Sequence, residues 1–382
     1  MFKSFSHLIV LLLVSIITAC GSSSTSTTAL VAVYGLPTSL ATTSVNMGGS
    51  VQGTNPTLAG STTPFAGTAG SYGLLDGTGT EAKFNRPTDI TTDGSNFYVA
   101  DYANSAIREI TPTGVVTTLA FTSDGTTTTY FSLPFSISVD GTNIYVVDAG
   151  TNTVRIINKG TNIVTTIGST SGLSGSVDST TPADVRFYLP TGITTDGENV
   201  YIADSGNHTI RRIDLSDNSV TTMAGASGST GSTDGNPEDA RFNLPARITT
   251  DGTSLYVTDF NNRTIRKIDI LTGVVSTIAG APGVFTTAVD GTGTAARFNQ
   301  PNGITTDGTN LYVTDSYLNT IRRIVISSGE VSTITLPENS LHTPMGLTVY
   351  GGKLYVADTY TVEVDSKYKE TYTYSNSIIE IQ

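Results

Sequence analysis

Six aspartates are the most regular acidic residues of the chain, and each ends the pattern Tyr-x-x-Asp: Asp101, Asp148, Asp204, Asp259, Asp315 and Asp358. Carboxylates in equivalent positions could hold a metal ion, because carboxylate oxygens are ordinary ligands of hard cations. An aspartate at the end of a repeated strand can instead accept backbone N–H groups of a neighbouring loop. We interpret the six aspartates as structural and predict no metal site and no cofactor.

Residue types that usually perform catalysis are scarce. The chain has three histidines: His7 lies in an apolar N-terminal segment, His208 in a repeated motif, and His342 just before Pro344. It has no Gly-x-Ser-x-Gly motif, no His-x-x-x-His pair and a single cysteine, Cys20, which argues against a nucleophile elbow and a cysteine–zinc site. We predict no catalytic residue and keep His342 as a lone candidate ligand or base.

The elements that position these residues repeat six times. A proline opens each unit and a Tyr-x-x-Asp strand follows. In five units an Ile or Val then precedes an arginine: Arg108, Arg155, Arg211, Arg266 and Arg322. Asp-Gly turns and runs of Tyr, Val, Ile and Thr divide a unit such as 242–280 into four strands, at 247–250, 254–258, 264–269 and 274–278. Units of 43 to 56 residues that cannot bury their faces alone predict an array of blades.

The combination of Pro-x-Gly-Ile, Asp-Gly, Tyr-Val-x-Asp and Asn-x-x-Ile-Arg resembles the NHL repeat, and Asn-His-Thr at 207–209 keeps part of the triplet that names this family. The resemblance covers about residues 63 to 382. It implies an all-β fold, a six-bladed β-propeller of four-stranded antiparallel blades, and a structural role for His208. Lyases of this fold use histidine-bound metal in the channel, and this chain does not supply that set. A cation bound in the channel stays compatible with the sequence.

The chain ends predict how the ring closes. The last unit stops after its third strand, 378–381, so its fourth strand has to come from elsewhere. Segment 76–87 matches segment 290–301 in sequence. Residues 277–280, which end a fourth strand, come before 290–301, and the similar residues 63–67 come before 76–87. We therefore predict that an N-terminal strand near 63–66 completes the last blade and leaves no unpaired sheet edge. The similar segment 57–60 competes for the same position.

Departures from the repeat indicate a site at the channel mouth. Two residues after the opening proline three units have glycine, whereas the others have Asp89, Ser136 and Arg247. Units one and four are opposite in a six-fold ring, so Asp89 and Arg247 should face each other with Ser136 alongside. They either bind a small anionic or zwitterionic ligand or only reach solvent and neighbouring loops. Neither is expected to serve blade packing, so replacing both by alanine is predicted to leave the fold intact.

The sixth unit carries an insertion, because twenty residues separate Asp358 from Ile378 where six separate the equivalent residues elsewhere. Alternation around a turn at 365–367 predicts a β-hairpin that stands beside the mouth. Its tyrosines are Tyr360, Tyr368, Tyr372 and Tyr374. They either contact a protein or glycan partner or pack on each other to stabilise the ribbon.

The N-terminus has the pattern of a bacterial lipoprotein. Lys3, the apolar run 8–17 and Ile-Thr-Ala-Cys at 17–20 predict a signal peptide at 1–19 and a lipid on Cys20. An unlipidated secreted protein is the alternative. A Ser/Thr/Gly-rich tether, 20–55, then leads to the propeller, 56–382. We expect a cell-envelope location, lipid-anchored, and the outer membrane where the cell has one.

Charge and fold together suggest a class of function. A formal charge of −12 disfavours nucleic acid as a partner. We predict a binding or scaffolding protein that holds an envelope protein, a glycan or a small ligand at the channel mouth. The alternative is a lyase or hydrolase with its active site there. A deep pocket with convergent polar groups would favour the enzyme, and a flat mouth with an apolar or aromatic ridge would favour the binding protein.

Overall fold

A computed structural model describes residues 58, 60–169, 171–283, 287–359, 361–364, 370–373 and 375–382. Across these ranges the regular structure is β-strand and single turns of 3-10 helix, without an α-helix. The 3-10 turns are Gly79–Glu81, Tyr102–Asn104, Pro182–Asp184, Ser205–Asn207, Phe260–Asn262, Gly293–Ala295 and Ser316–Leu318. In this part of the chain no helix has the length and apolar character needed to cross a membrane.

Each sequence unit forms one antiparallel sheet, in which the strands follow one another from the channel to the rim. The chain begins with β1 (Thr62–Ala66) and β2 (Gly77–Thr78). The first blade contains β3 (Pro87–Thr92), β4 (Phe97–Asp101), β5 (Ala106–Ile110) and β6 (Val115–Thr118). After a small hairpin of β7 (Phe121–Thr122) and β8 (Thr128–Thr129), the second blade contains β9 (Pro134–Val139), β10 (Asn143–Asp148), β11 (Thr153–Asn158) and β12 (Val164–Ile167).

The remaining blades repeat the pattern. The third contains β13 (Pro190–Thr195), β14 (Asn199–Asp204), β15 (Thr209–Asp214) and β16 (Val220–Gly225). The fourth contains β17 (Pro245–Thr250), β18 (Ser254–Asp259), β19 (Thr264–Asp269) and β20 (Val275–Gly280). After β21 (Gly291–Thr292), the fifth contains β22 (Pro301–Thr306), β23 (Asn310–Asp315), β24 (Thr320–Val325) and β25 (Glu330–Thr333). The sixth has β26 (Pro344–Tyr350) and β27 (Lys353–Asp358), then the separate hairpin β28 (Thr361–Val364) and β29 (Glu370–Thr373), and finally β30 (Ser377–Ile381).

Turn chemistry sets the strand boundaries. In the fourth blade Asp251 Oδ1 accepts the N–H groups of Thr253 and Ser254, each at 2.8 Å, which fixes the turn between β17 and β18. Asp251 Oδ2 accepts the hydroxyl of Tyr256 at 2.8 Å, so the same carboxylate ties the turn to the second strand. The turn residues and the Tyr-x-x-Asp strand thus form one local unit, which recurs in the first, second, third and fifth blades.

The core consists of six apolar layers, each shared by two neighbouring blades. The layer between the third and fourth blades, for example, joins Tyr201 and Ile210 to Phe242 and Leu255, all fully buried. Burial at blade–blade contacts allows a chain of this length to fold without one large central core. The alternating apolar residues of each blade therefore stabilise the ring as a whole.

The sixth sheet draws on both ends of the described chain. Strand β1 is its outermost strand and pairs antiparallel with β30, with Thr62 opposite Ile381 and Pro64 opposite Ile379. The inner strand β26 contacts β3 of the first blade. Pro64 lies on the rim, where a missing N–H removes no ladder bond to a neighbour. The outermost position is thus taken by β1, and Leu58, from the competing segment, packs against the apolar layer of the fifth and sixth blades.

Candidate functional site

The Tyr-x-x-Asp aspartates are buried and bonded to backbone, in agreement with their structural interpretation. In all six blades one carboxylate oxygen accepts an N–H group from the segment just before the opening proline. In the third blade the Asp204 carboxylate accepts the N–H of Tyr188 at 2.8 Å and the side chain of Asn207 at 2.7 Å. Each aspartate thus joins the second strand to the loop that enters its own blade.

The repeated arginines complete this network. Arg211 is fully buried, donates to Asp204 at 2.9 Å and to Asp178 at 2.6 Å, and lies 5.1 Å above the ring of Phe187. Burial raises the pKa of Asp204 to about 6, and the Arg211 charge opposes that shift. The first, fourth and fifth blades repeat the arrangement around Arg108, Arg266 and Arg322. These carboxylates are engaged within the fold and do not converge on a common site.

His208 joins two blades. It adopts a left-handed backbone conformation (φ +60°), and its Nδ1 accepts the N–H of Leu244 in the next blade at 3.2 Å. Asn152 and Asn319 bind the N–H groups of Leu189 and Thr343 in the same way, at 2.8 and 2.7 Å. Burial lowers the pKa of His208, which favours the neutral ring that can accept a hydrogen bond.

His342 pairs with the sixth aspartate. Its N–H donates to Asp358 Oδ1 at 2.7 Å, and its Nδ1 lies 3.5 Å from Asp358 Oδ2. The hydrogen bond to Asp358 raises the pKa of His342. In the sixth blade, which has no repeated arginine, the imidazole therefore lies beside the buried carboxylate in place of a guanidinium. It does not line the channel cavity.

Asp89, Ser136 and Arg247 come together inside the channel. Ser136 Oγ donates to Asp89 Oδ2 at 2.6 Å, and the N–H of Ile137 donates to the same oxygen at 3.0 Å. Arg247 reaches across from the fourth blade and places its Nε 3.9 Å from Asp89 Oδ2. It also donates to the carbonyl oxygens of Thr88, at 2.8 Å, and of Thr191. The two charges face each other, as the six-fold arrangement predicts.

The expectation that neither charged residue serves packing is wrong. Asp89 and Arg247 are only 7% and 3% exposed. A Cβ atom on Gly346 would lie 2.7 Å from the Cα of Asp89, and one on Gly192 would lie 2.8 Å from the Cα of Arg247, so glycine is required where these residues pack against the next blade. Burial raises the pKa of Asp89 and lowers that of Arg247, and each charge opposes the other shift. The pair fills the channel.

The space left in the channel is small. Below the ion pair lie a ring of aliphatic side chains and a ring of hydroxyls, and the cavity between them has a volume of about 40 Å³. Such a volume holds roughly three water molecules, whereas small-molecule sites need about 300 Å³ or more. Within the described ranges no group of three or more His, Cys, Asp and Glu residues could hold a metal ion. A cation bound in the channel stays a prediction.

The outer surface of the mouth carries a chain of aromatic and cationic side chains that the sequence did not predict. Arg86 lies 5.4 Å above the ring of Tyr102, and Tyr102 packs edge-on against Phe135 at 5.7 Å. The guanidinium of Arg247 lies 4.4 Å from the centre of the Phe135 ring. Tyr102 and Phe135 are partly exposed. Phe135 was detectable, because it is the only aromatic residue directly after an opening proline.

Apolar residues extend this surface. Leu133, Tyr188 and Leu189 precede the prolines of the second and third blades and are 37%, 43% and 49% exposed. The second-to-third-strand turns lie on the same face, because Gly206 N donates to Tyr188 O at 2.8 Å and Ala103 N to Asn85 O at 3.0 Å. The mouth is therefore closed by the Asp89–Arg247 ion pair. It is bordered by an apolar and aromatic ridge formed by Tyr102, Leu133, Phe135, Tyr188 and Leu189.

The other predicted sites lie largely outside the described residues. Strands β28 and β29 pair antiparallel, as the hairpin prediction requires, with Thr361 opposite Thr373. Tyr360, Tyr368 and Tyr374 are outside the described ranges, as is the side chain of Tyr372. Cys20, the signal peptide and the tether are outside them as well.

The fold defines the class: the chain is a six-bladed β-propeller of four-stranded antiparallel sheets. Residues 187–213, which enter and form the first three strands of the third blade, match the family model of the NHL repeat, so this blade contains an NHL repeat. The Arabidopsis thaliana protein SUPPRESSOR OF QUENCHING 1 is 29% identical over 293 residues, which cover 70% of this chain and 28% of that protein. The chain thus matches little more than a quarter of that relative.

Solved structures show the same architecture. A Bacteroides thetaiotaomicron protein of unknown function aligns over 84% of this chain and 75% of its own, with a TM-score of 0.60 and 20% identity. An auxiliary nutrient binding protein of the same organism aligns over 84% and 76%, with a TM-score of 0.60 and 15% identity. At these identities the likeness concerns the fold.

Proposed function

We propose that this protein is a lipid-anchored binding protein of the cell envelope that holds its ligand on the mouth face of the propeller. The observation that carries the proposal is the construction of that face. A buried ion pair closes the channel, and partly exposed Tyr102 and Phe135 lie above it beside exposed Leu133 and Leu189. Such a surface offers contact area without a deep cavity, as binding surfaces for large ligands do.

The shape of the channel argues against the competing enzyme. A lyase or hydrolase needs a cavity that encloses the reacting part of its substrate, and about 40 Å³ is too small for one. The groups that could act as acid or base are already engaged, since Asp89 accepts three hydrogen bonds and His342 faces Asp358. The Bacteroides nutrient binding proteins support a binding role on a similar scaffold.

The envelope location rests on the N-terminal sequence. A lipid on Cys20 and a flexible tether would hold the propeller away from the membrane, so that the mouth could meet a soluble or surface-bound ligand. A flexible tether would leave the orientation of the propeller free, so the mouth would need no membrane-binding surface of its own. The proposed ligand is therefore a partner in the envelope or in the medium, and the lipid itself is only the anchor.

The experiment compares one mouth variant with one control variant. The purified protein is immobilised and tested against envelope extract, soluble polysaccharides and nutrient-sized molecules, and dissociation constants are measured for every ligand found. Tyr102→Ala should weaken binding at least tenfold, because an aromatic contact at the centre of an interface contributes about 1.4 kcal/mol or more. Leu271→Ala is the control, because Leu271 is 93% exposed on the turn between β19 and β20, on the opposite face. Equal affinities of both variants and the wild type would contradict the proposal.

A further inference from the structure

Three leucines at the mouth have a backbone conformation that does not suit leucine. Leu133, Leu189 and Leu244 have φ values of +63°, +46° and +52°. A residue with a bulky side chain is rare in this left-handed region, where Gly and Asn are tolerated at lower cost. The conformation belongs to the fold, because Arg86 and Thr343 adopt it at the same position of the first and sixth blades. The fold therefore requires the turn, but not a leucine in it.

The leucines also keep part of their surface exposed to solvent. Leu133 and Leu189 are exposed by 37% and 49%, and Leu244 is partly exposed. The backbone N–H of Leu189 donates to Asn152 of the preceding blade, and that of Leu244 donates to His208. These hydrogen bonds do not depend on the leucine side chains. Three apolar side chains on consecutive blades thus remain available to a partner, in a row that continues to Tyr188.

Charge indicates the chemistry of that partner. The mouth loops are the second-to-third-strand turns of the first five blades and the two residues before each proline: 102–105, 149–152, 205–208, 260–263 and 316–319, with 85–86, 132–133, 188–189, 243–244, 299–300 and 342–343. They contain no Asp or Glu, but they contain Arg86 and Arg263. In contrast, the inner turns on the opposite face carry an aspartate in each of five blades: Asp93, Asp140, Asp196, Asp251 and Asp307. In a chain of net charge −12, these loops carry a net positive charge, which favours an anionic partner.

We propose that the partner is an acidic segment of another protein, which places apolar side chains between Leu133, Leu189 and Leu244. This inference rests on the proposed function and specifies its ligand. Leucine side chains complement apolar side chains of a polypeptide, whereas a sugar ring needs hydrogen-bonding partners that they do not offer. The arginines of the same loops, Arg86 and Arg263, pair with the carboxylates of the segment and accelerate its association.

The test uses four fluorescein-labelled probes: a twelve-residue peptide of alternating Glu and apolar residues, the same peptide with Lys for Glu, the same peptide with Ser for the apolar residues, and polygalacturonate as an anionic glycan. The first peptide should bind at least tenfold more tightly than the others, and its affinity should fall as NaCl rises from 50 to 500 mM. Preference for polygalacturonate, or equal affinity for the Lys peptide, would overturn the inference.

Two variants separate the contributions. Leu133→Asn/Leu189→Asn/Leu244→Asn should weaken binding of the acidic peptide at least tenfold while the melting temperature stays equal or rises, because Asn suits the backbone better. Arg86→Glu should weaken the acidic peptide and strengthen the Lys peptide, and Leu271→Asn is the control. Unchanged affinity of the triple variant would refute the leucine contacts. If the acidic peptide fails to bind while Tyr102→Ala still abolishes a ligand from extract, this inference fails and the proposed function stands.

Discussion

Removing the Arg247 side chain tests how the channel is held closed. Arg247→Ala would leave the carbonyl oxygens of Thr88 and Thr191 without their donor and the Asp89 carboxylate without its countercharge. Breaking one side of a buried ion pair costs about 3–5 kcal/mol. Asp89 keeps the hydroxyl of Ser136 and two backbone N–H groups, so we expect the lower end, about 3 kcal/mol.

A double-mutant cycle isolates the interaction of the two charges. At 3.9 Å, two unit charges attract each other by about 4 kcal/mol at the effective dielectric constant of a protein surface, and desolvation offsets part of this. Asp89→Asn keeps the shape of the side chain and removes its charge. Arg247→Ala combined with Asp89→Asn should therefore lose less stability than the sum of the single losses, by roughly 1–3 kcal/mol.

Urea unfolding provides the measurement. The chain has no tryptophan but 17 tyrosines, so circular dichroism and tyrosine fluorescence both follow the transition. Arg323→Ala serves as the control, because Arg323 is exposed and its loss should change the free energy of unfolding by at most about 0.5 kcal/mol. A loss below about 1 kcal/mol for Arg247→Ala, or strict additivity in the cycle, would refute the description of the pair as a structural closure.

Three further predictions follow from single features of the chain. The pKa of His208 is lowered on folding, so the contribution of His208 to stability is present above pH about 6.5 and is lost as pH falls through the folded-state pKa. His208→Asn should remove this loss of stability, which urea unfolding at pH 5 and pH 8 measures. An unchanged pH dependence would contradict the role given to His208. Deleting residues 21–67, which include β1, should lower the melting temperature by many degrees because β30 loses its partner, whereas deleting 21–57 should not, and equal melting of both would argue against this pairing. Cys20→Ser should move the protein from the membrane to the soluble fraction, and retention would contradict the lipid anchor.

The architecture was predictable because its determinants are local and repeated six times. An Asp-Gly turn, a Tyr-x-x-Asp strand and an Ile-Arg strand recur at similar spacing, so errors at one copy are corrected by the others. The predicted strands of the fourth blade agree with β17–β20 within two residues at each end. The six-fold repeat also predicts that Asp89 and Arg247 lie opposite each other, and the structure places Arg247 Nε 3.9 Å from Asp89 Oδ2.

The depth of that pair was not predictable. A position near the start of an inner strand suggests a solvent-facing mouth, but the long Arg247 side chain extends across the channel and over the ring of Phe135. The left-handed conformation of the mouth leucines was not predictable for a related reason. A residue before proline is expected to be extended, and no sequence pattern indicates the positive φ of Leu133 or Leu189. Both features depend on contacts between blades, which sequence periodicity does not specify.

Hydrogen–deuterium exchange of the complex with its captured ligand tests the central claim most directly. The account predicts slower exchange of backbone amides at 102–105, 132–136 and 188–192, which form the mouth, and no change at the turns near 95, 142 and 253 on the opposite face. Protection confined to those opposite turns, or to the rim around Leu271, would contradict a binding surface at the mouth.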